Sequence, residues 1–355
     1  MVNPIIGTTA NDTIGMDPPY SSRTSAQDET IYGGDGNDTI YGFDGNDVLY
    51  GDDGELTLPH NSIVGDNNDA LFGGDGNDTI VGGAGDDTIS GGGGDDSIDG
   101  GDGNNQITGD HGADMITSGS GDDVIAGDEN VVSAHGGYWS PPCYSGACDA
   151  SVYYYGAFIG GENDTIAGRD GNDIISGDQF TATAYGEYGG GTIVGGKDSL
   201  AGGGGNDTIY GDGVDASTPN SYGTGSVSGG DDVITGGAGA DLLYGDWGSV
   251  TTDSIIGGHD RFIYQNIGDG GDTIADFRHA EDVIDVSAMD ANIALAGDQA
   301  FGFAGTVPTN NSIWFSDNGT DTTLYFDNNG NAAPDMSIVL LGVHGSDLSL
   351  ADFVA

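Results

Sequence analysis

The stretch that decides the fold is "GGDGNDTIY", Gly33 to Tyr41, which is followed directly by "GFDGNDVLY", Gly42 to Tyr50. Each unit approximates the nine-residue pattern G-G-x-G-x-D-x-U-x, in which U is a large aliphatic residue. A loop this rich in glycine loses much backbone entropy when it becomes ordered. Some interaction must therefore compensate each copy, and the repeated aspartate indicates what kind it is.

The unit recurs along most of the chain. Copies begin at Gly33, Gly42, Gly73, Gly82, Gly91, Gly100, Gly109, Ser118, Gly168, Gly202 and Gly236. Six residues of a unit can turn and three can form a short strand whose U side chain points inward, so two units make one turn of a coil. We predict an all-β fold, a right-handed parallel β-roll. The predicted inward row is Ile40, Leu49, Leu71, Ile80, Ile89, Ile98, Ile107, Ile116, Ile125, Ile166, Ile175, Leu200, Ile209, Ile234 and Leu243.

The charge of the chain is extreme. Its 355 residues include 58 acidic and only 5 basic side chains, for a formal net charge of -53. Carboxylates at this density repel one another when the chain compacts, and a core of two aliphatic rows is thin. Hard cations are the natural compensation, and carboxylate and carbonyl oxygens suit calcium. Nucleic acid is excluded as a partner because the basic footprint that it requires is missing.

This nonapeptide resembles the calcium-binding repeat of RTX proteins. The resemblance implies several calcium ions held between successive loops by backbone carbonyls and by sixth-position aspartates one turn apart. Asn105 keeps an oxygen but loses the charge, so we expect weaker binding there. The residues that match the ligand positions are Asp38, Asp47, Asp69, Asp78, Asp87, Asp96, Asp114, Asp123, Asp164, Asp173, Asp198, Asp207, Asp232, Asp241 and Asp260, with Gly33, Gly73, Gly82, Gly91, Gly202 and Gly236.

Insertions interrupt the array, and we expect them to be hairpin-like. Five lie near 53–64, 129–159, 179–194, 213–228 and 247–256, and a sixth precedes Glu29. The five begin after a strand followed by Gly-Asp, at Asp52, Asp128, Asp178, Asp212 and Asp246. Counted from Ile14, the strand numbers place the last four insertions on one edge of the roll in successive turns. The opposite edge then keeps Asp123, Asp173, Asp207 and Asp241 in one row.

The ridge formed by these insertions is rich in aromatic residues. Two interpretations stay open: hairpins that cover the edge of the roll, or an adaptable surface that binds a partner such as polysaccharide. The candidate binding residues are Tyr138, Trp139, Tyr153, Tyr154, Tyr155, Tyr185, Tyr188, Tyr222 and Trp247.

The sequence divides into residues 1–32 with degenerate repeats, the roll at 33–264, and a β-rich module at 265–355. The segments "GGDTIADFRHAEDVIDVSAMD" and "LADFVA" resemble the C-terminal targeting domain of serralysin-type proteases. That resemblance implies export by a type I ABC transporter, and we expect Phe262 to plug the open end of the core. The segment that contains Asp327, Asn329 and Asp335 is predicted to form either a calcium loop or an Asx turn.

The sequence carries no pattern of a common catalytic site. H-E-x-x-H, G-x-S-x-G and the P-loop are absent, and no apolar run approaches a membrane span. Cys143 and Cys148 are either free thiols or, outside the cell, a small disulfide. We expect a bacterial, secreted or cell-surface calcium-binding scaffold without enzymatic activity. The alternatives are a self-assembling surface-layer or matrix protein and a membrane-active signalling protein.

Overall fold

The computed structural model describes residues 5–6, 13–14, 30–33, 38–44, 47–51, 68–128, 131–135, 138–139, 153–154, 158–185, 192–219, 225–252 and 254–355. Strands β1 to β36, numbered in chain order, dominate these ranges, together with one 3₁₀ turn at Leu350–Asp352. Strands alternate between two large sheets, as two units per turn require.

The first sheet consists of parallel strands whose neighbours come from successive turns. Its order is β1 (Ile5–Ile6), β3 (Thr30–Tyr32), β5 (Val48–Tyr50), β7 (Thr79–Ala84), β9 (Ser97–Asp102), β11 (Met115–Ser120), β17 (Thr165–Asp170), β21 (Ser199–Gly204), β25 (Val233–Ala238), β29 (Arg261–Ile263), β31 (Val283–Asp285) and β36 (Phe353–Val354).

The second sheet is parallel through the roll and ends in an antiparallel meander. Its order is β2 (Thr13–Ile14), β4 (Thr39–Asp44), β6 (Ala70–Asp75), β8 (Thr88–Gly93), β10 (Gln106–His111), β12 (Val124–Ala126), β18 (Ile174–Ser176), β22 (Thr208–Tyr210), β26 (Leu242–Tyr244), β30 (Thr273–Ile274), β35 (Met336–Leu340), β34 (Thr322–Phe326), β33 (Ser312–Asp317) and β32 (Gly302–Phe303). The strands β33, β34 and β35 pair antiparallel, whereas β32 pairs parallel with β33.

Strand length departs from the expected three residues. In full repeats such as β7 and β8 the strand has six residues, because parallel pairing continues through the first three positions of the next unit. Three-residue strands occur where an insertion follows, as in β12 and β18. The turn is therefore shorter than the pattern predicts.

The core lies between the two large sheets. Every residue of the predicted inward row is buried, with at most 3% of its surface exposed. The prediction that Phe262 plugs the end of this core was wrong. Phe262 pairs in register with Ile234 on one side and Ile284 on the other, and Ile284 in turn pairs with Phe353. The apolar row therefore continues to the last strand of the first sheet.

The last four insertions leave as the strand count predicts. Each departs after a strand of the second sheet (β12, β18, β22, β26) and returns to a strand of the first sheet (β17, β21, β25, β29). The same edge thus carries an insertion in four successive turns.

These insertions are not simple hairpins, which corrects the expected fold. Their strands pair in parallel with the equivalent strands of neighbouring insertions, and together they form the insertion lobe. One of its sheets is β13 (Val131–His135), β19 (Thr181–Tyr185), β23 (Asp215–Ser217) and β27 (Ser249–Thr251), and the other is β16 (Phe158–Gly160), β20 (Thr192–Val194), β24 (Ser226–Ser228) and β28 (Ser254–Ile256). Within the described ranges the hairpin-like pair is β14 (Tyr138–Trp139) with β15 (Tyr153–Tyr154).

The insertion lobe has a small apolar core of its own. Its buried members are Ile159, Ala182, Ala184, Ile193, Ala216, Val227 and Trp247. Each insertion contributes one to three of these side chains, so no single insertion could bury them alone. The lobe is thus ordered by the stacking of one turn on the next.

Candidate calcium site

The sixth-position aspartates form two hydrogen-bonded columns, one along each edge of the roll. The backbone N–H of each residue donates to Oδ1 of its counterpart one turn later, for example from Asp96 to Asp114 at 2.8 Å and from Asp173 to Asp207 at 2.9 Å. Column one is Asp38, Asp69, Asp87, Asn105, Asp123, Asp173, Asp207, Asp241 and Asp272. Column two, on the insertion edge, is Asp47, Asp78, Asp96, Asp114, Asp164, Asp198, Asp232, Asp260 and Asp282.

The columns bring together all fifteen aspartates predicted as ligands. They also place Asp123, Asp173, Asp207 and Asp241 in one row, as the strand count requires. Two members were missed in the sequence, Asp272 and Asp282. The signal was present, because both precede an inward residue by two positions, Ile274 and Ile284, but neither follows a full glycine-rich turn.

The second carboxylate oxygen gives these columns their chemistry. In Asp78, Asp96 and Asp114 the Oδ2 atom is buried and has no hydrogen-bond partner, and the same holds for Asp123, Asp164, Asp173, Asp198, Asp207, Asp232, Asp241 and Asp272. A buried charged oxygen without a partner is strongly unfavourable. Each of these turns therefore lacks a positive group.

Glycine at the first position leaves the room for such a group. A Cβ atom at Gly91 would lie 2.3 Å from Asp96 Oδ2 and 2.6 Å from the carbonyl oxygen of Gly109, one turn later. Oxygens of the side chain and of the backbone thus approach the same point. At the other predicted glycines an added Cβ atom would likewise lie 2.2 to 2.5 Å from Oδ2 of the aspartate in the same unit; these are Gly33, Gly73, Gly82, Gly202 and Gly236.

The side-chain amide of Asn105 donates to the backbone carbonyl oxygens at this position. Its Nδ2 amide lies 3.3 to 3.5 Å from the carbonyl oxygens of Gly101, Gly103 and Ser118. Three acceptors therefore surround a donor at the place where an aspartate would put a second anionic oxygen. Carboxylate and carbonyl oxygens in this arrangement are the donor set that calcium prefers. The residues present fit calcium.

The electrostatics agree with this donor set. Burial, reinforced by neighbouring carboxylates, raises the pKa of Asp96 to about 7 and of Asp114 to about 8, although a backbone hydrogen bond lowers each pKa in part. Burial likewise raises the pKa of Asp173 to about 7 and that of Asp198 well above its ordinary value. Ionised columns are thus costly unless a cation compensates them. Among the described residues no group of three or more His, Cys, Asp or Glu side chains converges on one point.

The fifth position carries a second ladder that the sequence reasoning missed. The side chains of Asp86, Asn104 and Asp122 accept hydrogen bonds from backbone N–H groups one turn later, for example Asn104 N to Asp86 Oδ1 at 2.8 Å. These side chains are exposed, and the Asn-Asp pair of the repeat was the available signal. The position-five side chains therefore accept hydrogen bonds from backbone N–H groups of the turns at the surface, whereas the position-six side chains face the interior.

The loop at Asp327 does not resemble the columns. Both oxygens of this buried carboxylate accept backbone N–H groups, including those of Asn311, Gly330 and Ala332 at 3.0 Å. Although burial opposes them, these hydrogen bonds lower the pKa of Asp327 below its ordinary value. The surroundings of the carboxylate are already positive, which favours the Asx-turn interpretation over a calcium loop.

The aromatic candidates have mixed outcomes. Trp247 is only 4% exposed and packs inside the insertion lobe, so its assignment to a binding surface was wrong. Residues Tyr138, Trp139, Tyr153 and Tyr154 lie on the paired strands β14 and β15, and Tyr185 ends β19. The candidates Tyr155, Tyr188 and Tyr222, and the cysteines Cys143 and Cys148, lie outside the described residues.

The comparison with protein families agrees with these columns. The model of the RTX calcium-binding nonapeptide repeat matches residues 24–55, 63–98, 90–125, 159–181, 186–214 and 226–251. The chain is an RTX-repeat protein. Its parallel β-roll carries several copies of the calcium-binding repeat, and the matched segments contain most of both columns.

Solved structures similar to this RTX roll include two repeat subunits of the mannuronan C5-epimerase of Azotobacter vinelandii. The AlgE6R3 subunit is 29% identical over 44% of this chain and 77% of that one, with a TM-score of 0.25. The AlgE6R2 subunit is 24% identical over 43% of this chain and 90% of that one, with a TM-score of 0.27. No curated protein matches the chain. In the part of the chain that the structure describes, no helix is long and apolar enough to cross a membrane.

Proposed function

We propose that this RTX protein is a secreted calcium-binding β-roll that folds when it binds calcium after type I export. The observation that carries the proposal is the row of buried Oδ2 atoms without partners, for example in Asp96, Asp173 and Asp207. An ion-free roll would have to hold these carboxylates charged and unpaired or take up protons. Binding free energy therefore contributes directly to folding free energy.

The dependence of folding on calcium also accounts for how the chain could be exported. At the low free calcium inside a bacterium the chain remains unfolded and suited to a narrow channel. Outside, calcium at millimolar concentration drives folding. The serralysin-like character of residues 265–355 supports a type I transporter as the exporter. Residues 351–355 are the segment to delete as a test in a host that carries such a transporter. The full chain should appear in the medium and the truncated chain should not, and equal export of the two would contradict this route.

The proposed role outside the cell is a non-enzymatic scaffold or binding protein at the bacterial surface. Supporting it, the acidic side chains of the roll are used in ladders that order the backbone. Tyr138 and Tyr153, on the paired strands β14 and β15 of the insertion near 129–159, are of a residue type whose ring can stack on the sugar rings of a polysaccharide. Binding of the calcium-loaded protein to immobilised glycans tests this part.

A calcium titration tests the central proposal. Chelator-stripped protein should show a coil spectrum by far-UV circular dichroism and convert cooperatively to a β spectrum as calcium is added. Magnesium should fail to replace calcium, because it requires near-ideal octahedral geometry and retains its waters. If the stripped protein already had the full β spectrum at neutral pH, calcium-coupled folding would be refuted.

Self-assembly is a second candidate, favoured by one end of the insertion lobe. Strand β28 is the edge of its sheet, and Ile255 and Ile256 are 53% and 60% exposed there. An exposed apolar edge strand is a template for pairing with another chain. Sedimentation velocity in calcium should then show assembly that depends on protein concentration. The Ile256→Glu variant should remain monomeric. A wild-type monomer at every protein concentration would exclude this candidate.

A further inference from the structure

The Gly-Asp pairs that open the last four insertions lie beside column two, where Asp178 and Asp212 have Asp198 and Asp232 as charged neighbours, but they are not members of its hydrogen-bond ladder. Their carboxylates, on Asp128, Asp178, Asp212 and Asp246, are at most 7% exposed. They stand at the point where each chain segment leaves the roll, and the RTX pattern assigns them no role. We call them the Gly-Asp column.

The members of the Gly-Asp column stack from one turn to the next. A Cβ atom at Gly195 would lie 1.4 Å from Asp212 Oδ1, and one at Gly229 would lie 1.7 Å from Asp246 Oδ1. The same point at Gly229 lies 2.9 Å from Asp212 Oδ2. Oxygens of Asp212 and Asp246 therefore approach one position from two consecutive turns.

The hydrogen bonds of the column leave its centre short of positive charge. Backbone N–H groups of Gly196, Gly230 and Gly258 donate to Asp178, Asp212 and Asp246 respectively. Asp212 is completely buried, and its Oδ2 atom has no hydrogen-bond partner. Burial and the neighbouring carboxylates raise the pKa of Asp212 well above its ordinary value.

One turn further along, the protein supplies the missing charge itself. A Cβ atom at Gly257 would lie 1.4 Å from Arg278 Nη1 and 2.8 Å from Asp246 Oδ2. Gly257 is the counterpart of Gly229, so the guanidinium occupies the place that a carboxylate holds in the earlier turns. Arg278 Nη1 lies 3.3 Å from Asp246 Oδ2. At the opposite end, Gln179 Nε2 donates to Asp128 Oδ2 at 2.6 Å.

We propose that the Gly-Asp column is an additional cation site of the roll, in which Asp212 Oδ2 and Asp246 Oδ1 hold a hard divalent cation, calcium, with the charge of Asp178 one turn before. Arg278 closes the row by the same electrostatic logic. The inference rests on the calcium binding proposed above and adds a site at the root of the insertions. Calcium would then order the insertion lobe directly as well as the roll.

Trp247 provides a local spectroscopic probe of this site. Its indole ring contacts the backbone beside Asp212, since a Cβ atom at Gly213 would lie 2.6 Å from the ring. Terbium replaces calcium at oxygen sites and emits when a nearby indole transfers energy to it. Excitation of tryptophan should therefore produce terbium emission from wild type, and the Trp247→Phe variant should lose most of it.

The test compares Asp212→Asn with Asp122→Asn, which removes the same charge from an exposed position-five side chain outside both columns. Metal content of the calcium-loaded, desalted proteins should fall by one ion in Asp212→Asn, and the terbium emission sensitised by tryptophan should fall several-fold. Asp122→Asn should keep that emission. If Asp212→Asn does not fold, wild type and Trp247→Phe decide the question on their own, because equal terbium emission from the two would overturn the site.

The outcomes separate this inference from the proposed function. A wild-type protein that folds without calcium would refute calcium-coupled folding. A wild-type protein that folds with calcium, while Asp212→Asn retains every ion and the full terbium signal, would refute only the Gly-Asp site. The carboxylates would then be stacked in protonated form.

Discussion

At the scale of single residues, the free energy of this fold depends on where each oxygen of an aspartate points. Oδ1 of Asp114 accepts the N–H of Asp96 and ties two turns together, whereas Oδ2 faces a glycine cradle. A carboxylate thus works as a backbone hydrogen-bond acceptor through Oδ1, and the proposed calcium ligand is Oδ2. Glycine at the first position and aspartate at the sixth are both needed. Without the glycine, a side chain would fill the space beside Oδ2, and without the aspartate, that space would lack a negative charge.

The glycine-rich loop at Gly91 to Gly94 allows a matched test within four residues. Gly91→Ala would place a methyl group 2.3 Å from Asp96 Oδ2, whereas a Cβ atom at Gly93 meets nothing closer than 3.6 Å and needs no positive φ. We expect Gly91→Ala to lower the stability of the calcium-loaded protein by about 2 kcal/mol or more and Gly93→Ala to have little effect. Thermal unfolding in calcium measures both, and equal melting temperatures would contradict the cradle.

At Asn105 a substitution can add the carboxylate that this column position lacks. Asn105→Asp should add a carboxylate where three carbonyl oxygens already converge, and we expect one more bound calcium per chain with a lower calcium midpoint. The control is Asn104→Asp, which adds the same charge at an exposed position-five side chain. Isothermal titration calorimetry gives the stoichiometry. An unchanged ion count in Asn105→Asp would show that the cradle is not the ion site.

At the scale of secondary-structure elements, the roll and the insertion lobe obey the same rule. A strand pairs with its counterpart in the next turn, with Val124 opposite Ile174 in the roll and Ile193 opposite Val227 in the lobe. The lobe lacks the nonapeptide, yet its strands are held in parallel register because the roll beneath sets the spacing of the turns. Order in the lobe is therefore expected to depend on calcium in the roll.

Trp247 reports that dependence. In a background with Trp139 and Trp314 replaced by Phe, its emission should shift to the blue when calcium is added, since the ring becomes buried. Ile193→Ala removes a fully buried neighbour and should cost about 2–4 kcal/mol locally, with a red-shifted emission. Ile256→Ala, at an exposed site of the same lobe, should leave the spectrum unchanged. A red shift of equal size in both variants would mean that the lobe has no core.

At the scale of the whole molecule, we expect the two columns to make folding depend on calcium and on pH together. The roll stacks carboxylates along both edges from Asp38 to Asp282, and only 5 basic residues oppose 58 acidic ones. Chain compaction must then bring in either metal ions or protons. Which of the two is taken up depends on their concentrations.

The pH dependence of the metal-free chain follows from the raised pKa values. The pKa values of Asp207, Asp96 and Asp114 rise from 3.8 to about 6, about 7 and about 8 in the folded state. A raised folded-state pKa contributes stability that is present below the unfolded value and lost as pH rises through the folded value. Metal-free protein should therefore show a β spectrum near pH 4 and lose it between about pH 6 and pH 8.

Dilute samples are needed for that experiment, because the sequence pI is near 4.1. Calcium-loaded protein serves as the control and should keep its β spectrum through pH 6 to pH 8, because bound calcium compensates the carboxylates that are ionised there. A coil spectrum for the metal-free chain at every pH would contradict the proton-compensated state.

Much of the roll could be predicted from the sequence because its rules are local. The nine-residue period places Ile80 and Ile98 on one row and Asp78 and Asp96 on one column, whatever the rest of the chain does. The strand count also placed the last four insertions on one edge. The strand length was wrong, because pairing through the glycines depends on the neighbouring turn and not on the unit itself.

The sequence by itself determined the two-sheet roll, its aliphatic rows and its aspartate columns, since each follows from a repeat of fixed period and side-chain alternation. Only the tertiary structure decided that the insertions stack into a lobe with its own core, that Trp247 is buried, and that Asp212 meets Asp246. These contacts join segments that share no repeat, and they form because the roll carries the start of each insertion to the same edge at a fixed spacing. Each residue in these contacts meets a residue of the neighbouring turn, and the local sequence pattern does not specify which residue that is.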